Sequence, residues 1–158
     1  MDAVTNPSDE SERRLNESFV ALRLPSDRGG ILEQRWAVSW TPGILIADPE
    51  ERVPYRAYGY HPPREFAHQL EVARGRVEFD RGDFAQALRT FSRVAEDPRP
   101  SAFLPEVLYW LRVAHSKTGD KEGLVRHWDR LLDGHPKSLW ARRASFIRPP
   151  GREASAAA

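Results

Sequence analysis

Five histidines, His61, His68, His115, His127 and His135, are the side chains best suited to metal ligation or proton transfer near neutral pH. None forms the His-x-x-x-His pair that puts two imidazoles on one helical face, and no cysteine or clustered carboxylate completes a ligand set. No metal site is expected from this pattern, and no cofactor. Glu50-Glu51 reads as a solvated turn rather than a catalytic carboxylate pair, because adjacent side chains in a hairpin diverge. Arg89, Arg93, Arg126 and Arg130 form either a solvated helix face or a patch for an acidic partner, and near-neutrality overall favours the former. The chain has no cysteine at all, which removes a disulfide scaffold, Cys-ligated zinc, an iron–sulfur centre and a thiol nucleophile. Neither a Walker A loop, a Gly-x-Ser-x-Gly elbow, a His-Glu-x-x-His helix nor a dinucleotide fingerprint occurs.

The 158 residues carry 24 basic and 23 acidic side chains, a formal charge of +1, so no global field attracts nucleic acid or anionic lipid. Residues 1–50 hold nine acids and five Arg, a net of −4, which leaves +5 for the remainder. Arg outnumbers Lys by 21 to 3, a bias that fits a GC-rich genome better than a set of phosphate forks. No stretch approaches the roughly 20 apolar residues needed to span a bilayer, and Met1-Asp2-Ala3-Val4-Thr5 lacks the pattern of a signal peptide. A soluble cytoplasmic protein is expected, with residues 147–158 as a disordered tail.

The elements that must position these side chains change character near residue 60. Before it, Ser8 can cap a helix ending near Asn16, Phe19 to Leu24 reads as a strand stopped by Pro25, and Ile31 to Trp36 as a short helix. Ile44 to Ala47 has the continuous apolar run of a strand buried on both faces, and the turn Asp48-Pro49-Glu50-Glu51 leads into Val53 to Tyr58, giving a hairpin. A helix then runs from Pro63 to about Phe79. Beyond it, Phe84, Ala87, Leu88, Phe91, Val94 and Ala95 make an amphipathic stripe. Leu104, Val107, Leu108, Leu111 and Ala114 repeat it, as do Leu124, Trp128, Leu131 and Leu132, and a short helix around Trp140 closes the set. Gly82-Asp83 matches Gly119-Asp120 at an offset of 37, which also pairs Phe91 with Trp128 and Val94 with Leu131. Two helix–turn–helix units follow.

These units resemble the tetratricopeptide repeat (TPR), whose 34-residue helical pair keeps small residues where its helices cross. Gly75, Gly82, Phe84, Ala87 and Phe91 carry the resemblance in the first copy, and Gly119, Trp128 and Pro136 in the second. Glu78 stands where an aromatic is usual, Leu124 replaces the small residue, and the loop between copies is about three residues long for the family. Two copies need their open ends covered, by the first half of the chain and by the helix near Trp140. The resemblance implies a groove lined by Val72, Arg76 and Phe79 from one copy and Tyr109 and Val113 from the next. The alternative is that these side chains pack the repeats against the sheet.

The first half resembles the C-terminal part of a thioredoxin-like domain. Trp40-Thr41-Pro42 before the strand, Asp48-Pro49-Glu50 at the hairpin and Gly59-Tyr60-His61-Pro62-Pro63-Arg64-Glu65-Phe66 leading into a helix carry that resemblance. It implies a cis bond at Thr41-Pro42, and a substrate chain pairing with the backbone there. Trp40, Thr41 and Pro42 are then either a peptide-binding edge or only a fold-determining turn. Gly43 and Glu51 depart from the pattern, since a β-branched residue and a Gly are usual at those places. In bacterial relatives with helical-repeat tails, Cys-x-x-Cys and a central first strand lie upstream of a segment like Met1 to Thr5. A truncated gene product, a Cys-less relative with directly paired strands, and a strand supplied in trans all fit that difference.

The expected fold class is therefore α/β plus all-α, a truncated thioredoxin-like sheet of about three strands packed on a TPR-like helical hairpin array. Residues 1–75 form the partial thioredoxin-like domain without redox cysteines. Residues 64–146 form two TPR-like repeats with a capping helix, and the linking helix is shared. The expected function is a non-catalytic protein–protein interaction or scaffold module, with no enzyme activity from the chain as it stands. Its partner is a protein or peptide, not nucleic acid or membrane, and a homodimer is a further option. The alternative is the C-terminal fragment of a thiol–disulfide oxidoreductase whose Cys-x-x-Cys lies upstream of Met1.

Overall fold

The computed structural model describes residues 9–23, 30–38 and 40–146. Seven helices and two strands follow in the order α1 (Asp9–Ser18), α2 (Gly30–Trp36), β1 (Gly43–Ile46), β2 (Tyr55–Tyr58), α3 (Pro63–Asp80), α4 (Phe84–Ala95), α5 (Leu104–Thr118), α6 (Lys121–Gly134) and α7 (Leu139–Ala144). The described chain is thus mixed α/β and mostly helical.

Helix α3 is the element on which both halves meet. Pro63 occupies its first turn, where a missing N–H leaves no hydrogen bond unmade. Phe66, Leu70, Ala73 and Val77 recur at helical spacing and pack with Ile46 of β1 and with Leu15 and Phe19 from α1 and its exit. Val72 and Phe79 lie on a second stripe, packed with Ala87 and Phe91 of α4 and Val107 and Leu111 of α5. Gly75 lets α4 approach closely, since a Cβ there would come within 2.4 Å of the Phe91 ring. With two apolar stripes and a neighbour on each, α3 buries every residue from Phe66 to Ala73.

The repeated Gly-Asp pair has a single physical meaning. Gly82 and Gly119 take φ of 82° and 77°, the left-handed region that ends a helix without a Cβ clash. Each following Asp caps the next helix: Asp83 Oδ1 accepts from the Gln86 N–H at 3.1 Å, and Asp120 Oδ1 from the Gly123 N–H at 2.9 Å. Helices α3 and α4 form one hairpin and α5 and α6 the other, each turned by the same two residues. Helix α7, capped by Ser138, closes the far end, where Ala141 and Ala144 pack against Leu108 and Leu131.

Strands β1 and β2 pair antiparallel, Gly43 opposite Tyr58 and Ile46 opposite Tyr55, as the hairpin reading expects. The third strand expected at Phe19 to Leu24 is not formed over residues 19–23. Phe19 N–H instead donates to the Leu15 carbonyl at 2.9 Å, extending the last turn of α1, and Val20 and Leu22 stand 92% and 82% exposed. A β pattern specifies a half-buried strand only where a neighbouring backbone can pair with it, and among the described residues none does. For the same reason β1 is not buried on both faces: only Ile46 is fully covered. The expected cap at Ser8, the strand end at Leu24 and the tail 147–158 lie outside the described residues. Among those described, no helix is long and apolar enough to cross a membrane.

Candidate functional site

The first helix of each hairpin, together with α7, presents a row of half-buried rings. Phe79 of α3 meets Phe84 and Trp110 edge-on, at centroid distances of 5.1 and 5.3 Å. Trp110 and Tyr109 of α5 then meet Trp140 of α7 at 6.4 and 5.1 Å. These spacings suit the edge-to-face preference of aromatic quadrupoles, so the contacts fasten α3 to α5 and α5 to α7. Two guanidiniums lie on the row: Arg76 is 3.8 Å from the Trp110 centroid and Arg143 is 4.7 Å from that of Trp140.

Glu106, one turn before Trp110, answers these cations. Burial pushes its carboxyl up from the ordinary value, while Arg76, the Trp110 indole and Arg143 pull the other way. Tyr55 of β2 faces the same region, and burial pushes its phenol up to about 12. Arg112 is only 6% exposed and makes no ion pair among the described residues. Its charge rests instead against the faces of Trp128 at 4.4 Å and Tyr109 at 5.2 Å, and burial lowers its affinity for the proton.

Of the groove residues expected from the sequence, Arg76, Phe79 and Tyr109 come together in this row, and Val113 is half-buried one turn beyond Tyr109. Val72 does not belong to it. It is fully buried between α3 and α4, a core residue that no ligand can touch. Trp110, Trp140, Arg143 and Glu106 join the row without being marked as groove residues by the repeat register. The Trp140/Arg143 pair, three apart on one helix, carries a local signal; the Arg76/Trp110 pair carries none, because it depends on how two helices cross.

At the start of β1 the Thr41-Pro42 peptide is cis. Trp40 is 69% exposed, Thr41 and Pro42 are exposed, and the Pro42 carbonyl accepts from the Gly59 N–H at 2.9 Å, which closes the hairpin mouth. None of the three makes a ring contact with the aromatic row among the described residues. Glu50 and Glu51 are exposed in the turn, as expected, with Arg52 and Arg35 as their partners. Of the four arginines, Arg89 binds Gln86, Arg93 lies 3.7 Å from Glu71, and Arg130 reaches the Ala95 carbonyl at 2.7 Å.

The long loop between the hairpins holds a second polar cluster that no sequence motif announces. Ser101 Oγ lies 2.9 Å from His68 Nδ1, and His68 Nε2 lies 3.1 Å from Asp97 Oδ2. Hydroxyl, imidazole and carboxylate in that order resemble a nucleophile, its base and an orienting acid. Here, however, the Phe103 N–H donates to Ser101 Oγ and the Ala102 N–H donates to Glu65 Oε2, which itself lies 3.3 Å from Ser101 Oγ. The backbone donors that would receive an oxyanion are taken, and a carboxylate stands beside them. Asp97 is held well below the usual carboxylate range by hydrogen bonds from the Arg99 side chain and backbone N–H, with His68 adding to them. Together with Arg64 donating to the Pro100 carbonyl at 2.8 Å, the cluster clamps the loop onto the start of α3.

Comparison with protein-family models, with curated proteins and with solved structures finds no match to the chain in any of the three.

Proposed function

We propose that the chain is a non-catalytic protein-interaction module of the thioredoxin-like and TPR type, which receives an extended segment of a partner along α3, α5 and α7. The observation that carries the reading is the continuous row of half-buried rings from Phe79 through Trp110 to Trp140, with Arg76 and Arg143 stacked on it. Large, pre-packed aromatics and arginines lose little freedom on contact and are the residue types that dominate binding energy at interfaces. The repeated Gly-Asp turn supports the helical-repeat part, and the hairpin leading into α3 supports the thioredoxin-like part. A partner segment with an apolar anchor for the rings and a carboxylate for the two guanidiniums fits this surface best.

The test is site-specific photo-crosslinking in the source cell extract. A photoreactive side chain at Val113 or Arg143 is expected to yield the same discrete adduct, weakened by Arg76→Glu, whereas one at Arg89, exposed on α4, yields none. Background labelling alone from both groove positions, or equal labelling from Arg89, overturns the reading.

A further inference from the structure

Helices α4 and α6, the second helices of the two hairpins, enclose a cleft of about 320 Å³ with a composition unlike that of the aromatic row. Arg126, His127 and Arg130 of α6 line it, with His115 of α5 and Ser92 of α4 beside them, and Glu96 at the end of α4 is its one carboxylate among the described residues. The rings of His115 and His127 are stacked, with centroids 5.0 Å apart and planes inclined by 14°.

The tautomer of His127 follows from its one hydrogen bond. Its Nδ1 lies 2.8 Å from the Gly123 carbonyl, which can only accept, so Nδ1 carries the proton. In the neutral ring Nε2 is then a bare acceptor, on a residue that is only 9% exposed and lines the cleft. Burial lowers the affinity of His127 for a second proton, and His115, Arg126 and Arg130 lower it further. Arg126 has no hydrogen bond or ion pair among the described residues. Arg130 donates to the Ala95 carbonyl, which neutralises the negative end of α4 and leaves the rest of its fork available. His115 Nδ1 lies 2.9 Å from Asp120 Oδ2.

We infer that this cleft binds a phosphate group, with Arg126 and Arg130 donating to its oxygens and His127 Nε2 accepting from its P–OH. Two arginines and Ser92 around one cleft offer donors from two helices, a set that suits a tetrahedral oxyanion better than a planar carboxylate. The bare imidazole nitrogen adds a preference: above the ordinary histidine range the site favours an anion that still carries a proton, which inorganic phosphate does and sulfate does not. As pH falls and His127 takes up a proton, that preference disappears. Glu96 on α4, His115 and Asp120 between α5 and α6, and Arg126 and Arg130 on α6 are the charged or titratable groups that face His127 and set where this happens.

The probes are inorganic phosphate, sulfate, acetate and glycerol phosphate, titrated into the full chain at about pH 8 and at a lower pH at which the His127 ring signal reports its charged form, while the His115 and His127 ring signals are followed by NMR. Saturable shifts of both rings with phosphate are expected, with sulfate about tenfold weaker at the higher pH and no weaker where the His127 ring signal reports the charged imidazole. Arg126→Gln, at an exposed position with no hydrogen bond among the described residues, weakens phosphate by about tenfold, and Glu96→Gln strengthens it several-fold. Glycerol phosphate, whose phosphate group has lost its last proton at about pH 8, should bind there as weakly as sulfate, and tighter binding than inorganic phosphate at that pH overturns the role of His127 Nε2. No saturable shift, equal binding of acetate, or an affinity unchanged by Arg126→Gln would falsify the assignment.

Discussion

Two titratable side chains, the buried His127 and the half-buried Tyr55, make the stability of the fold depend on pH in opposite directions. His127 is held neutral in the folded chain, below its ordinary value of 6.5, by burial and by its cationic neighbours. The unfolded chain therefore takes up the proton first, so the contribution of His127 to stability is present above 6.5 and is lost as pH falls below it. Tyr55 behaves in the reverse sense: its phenol is pushed from 10.0 to about 12, so its contribution is complete below 10 and is lost between 10 and 12. Denaturant midpoints measured across pH are expected to fall on both sides. His127→Asn should flatten the acid limb above the carboxylate range, and Tyr55→Phe the alkaline one; an acid limb unchanged in His127→Asn would refute the first assignment. Glu51 is a third local case. It takes φ of 62°, where an L side chain is strained, and its pairing with Arg35 is exposed and so contributes little. Glu51→Gly should raise stability by up to about 1 kcal/mol, read as a higher melting temperature.

The helices are legible in the amino-acid sequence because the information that specifies them is local. Stripes at 3.6-residue spacing, Pro63 in a first turn, and the Gly-Asp punctuation each act within one turn of chain, and each appears where expected. Segment 19–23 departs from its pattern for the complementary reason. Its apolar residues satisfy a strand pattern, but pairing is non-local, and the nearest use for Phe19 is against α3. The site divides the same way. Arg76, Phe79 and Tyr109 follow from register along single helices, whereas Trp110, the His68 clamp and the His115/His127 stack arise only when separate helices and loops are brought together. The crossing of α3 and α4 offers a test at this scale. Gly75→Ala forces the Phe91 ring to move, and Phe91 is fully buried, so a loss of about 1–3 kcal/mol is expected from overpacking. Gly134→Ala, with open space around its Cβ position, is the control and should change little.

The arrangement of the whole molecule turns on α3 belonging to two clusters at once. Its Phe66–Leu70–Ala73 stripe holds α1 and β1, while Val72 joins α4 and α5, and Tyr55 of β2 packs against both sets. Arg14 and Arg93 also approach Glu71 from α1 and α4, at 2.8 and 3.7 Å, so charge as well as packing crosses this helix. A hairpin of two four-residue strands is marginal by itself in water. It persists here because α3 supplies its buried face. If that coupling is real, the sheet and the helical hairpins cannot unfold separately, and a change in one must be felt in the other. Ile46→Val removes one methyl group from the sheet side, in the cluster with Phe66, Leu70 and Ala73 rather than in the one that joins α4 and α5. It should nevertheless lower the stability read from the far-ultraviolet helical signal, half of which comes from α4, α5 and α6, by about 0.5–1.5 kcal/mol. Tryptophan fluorescence, with Trp36 on the sheet side and Trp110 and Trp128 on the other, should trace the same single transition. A helical midpoint indifferent to Ile46→Val, or two separated transitions, would mean that α3 joins the halves in sequence without joining them in energy.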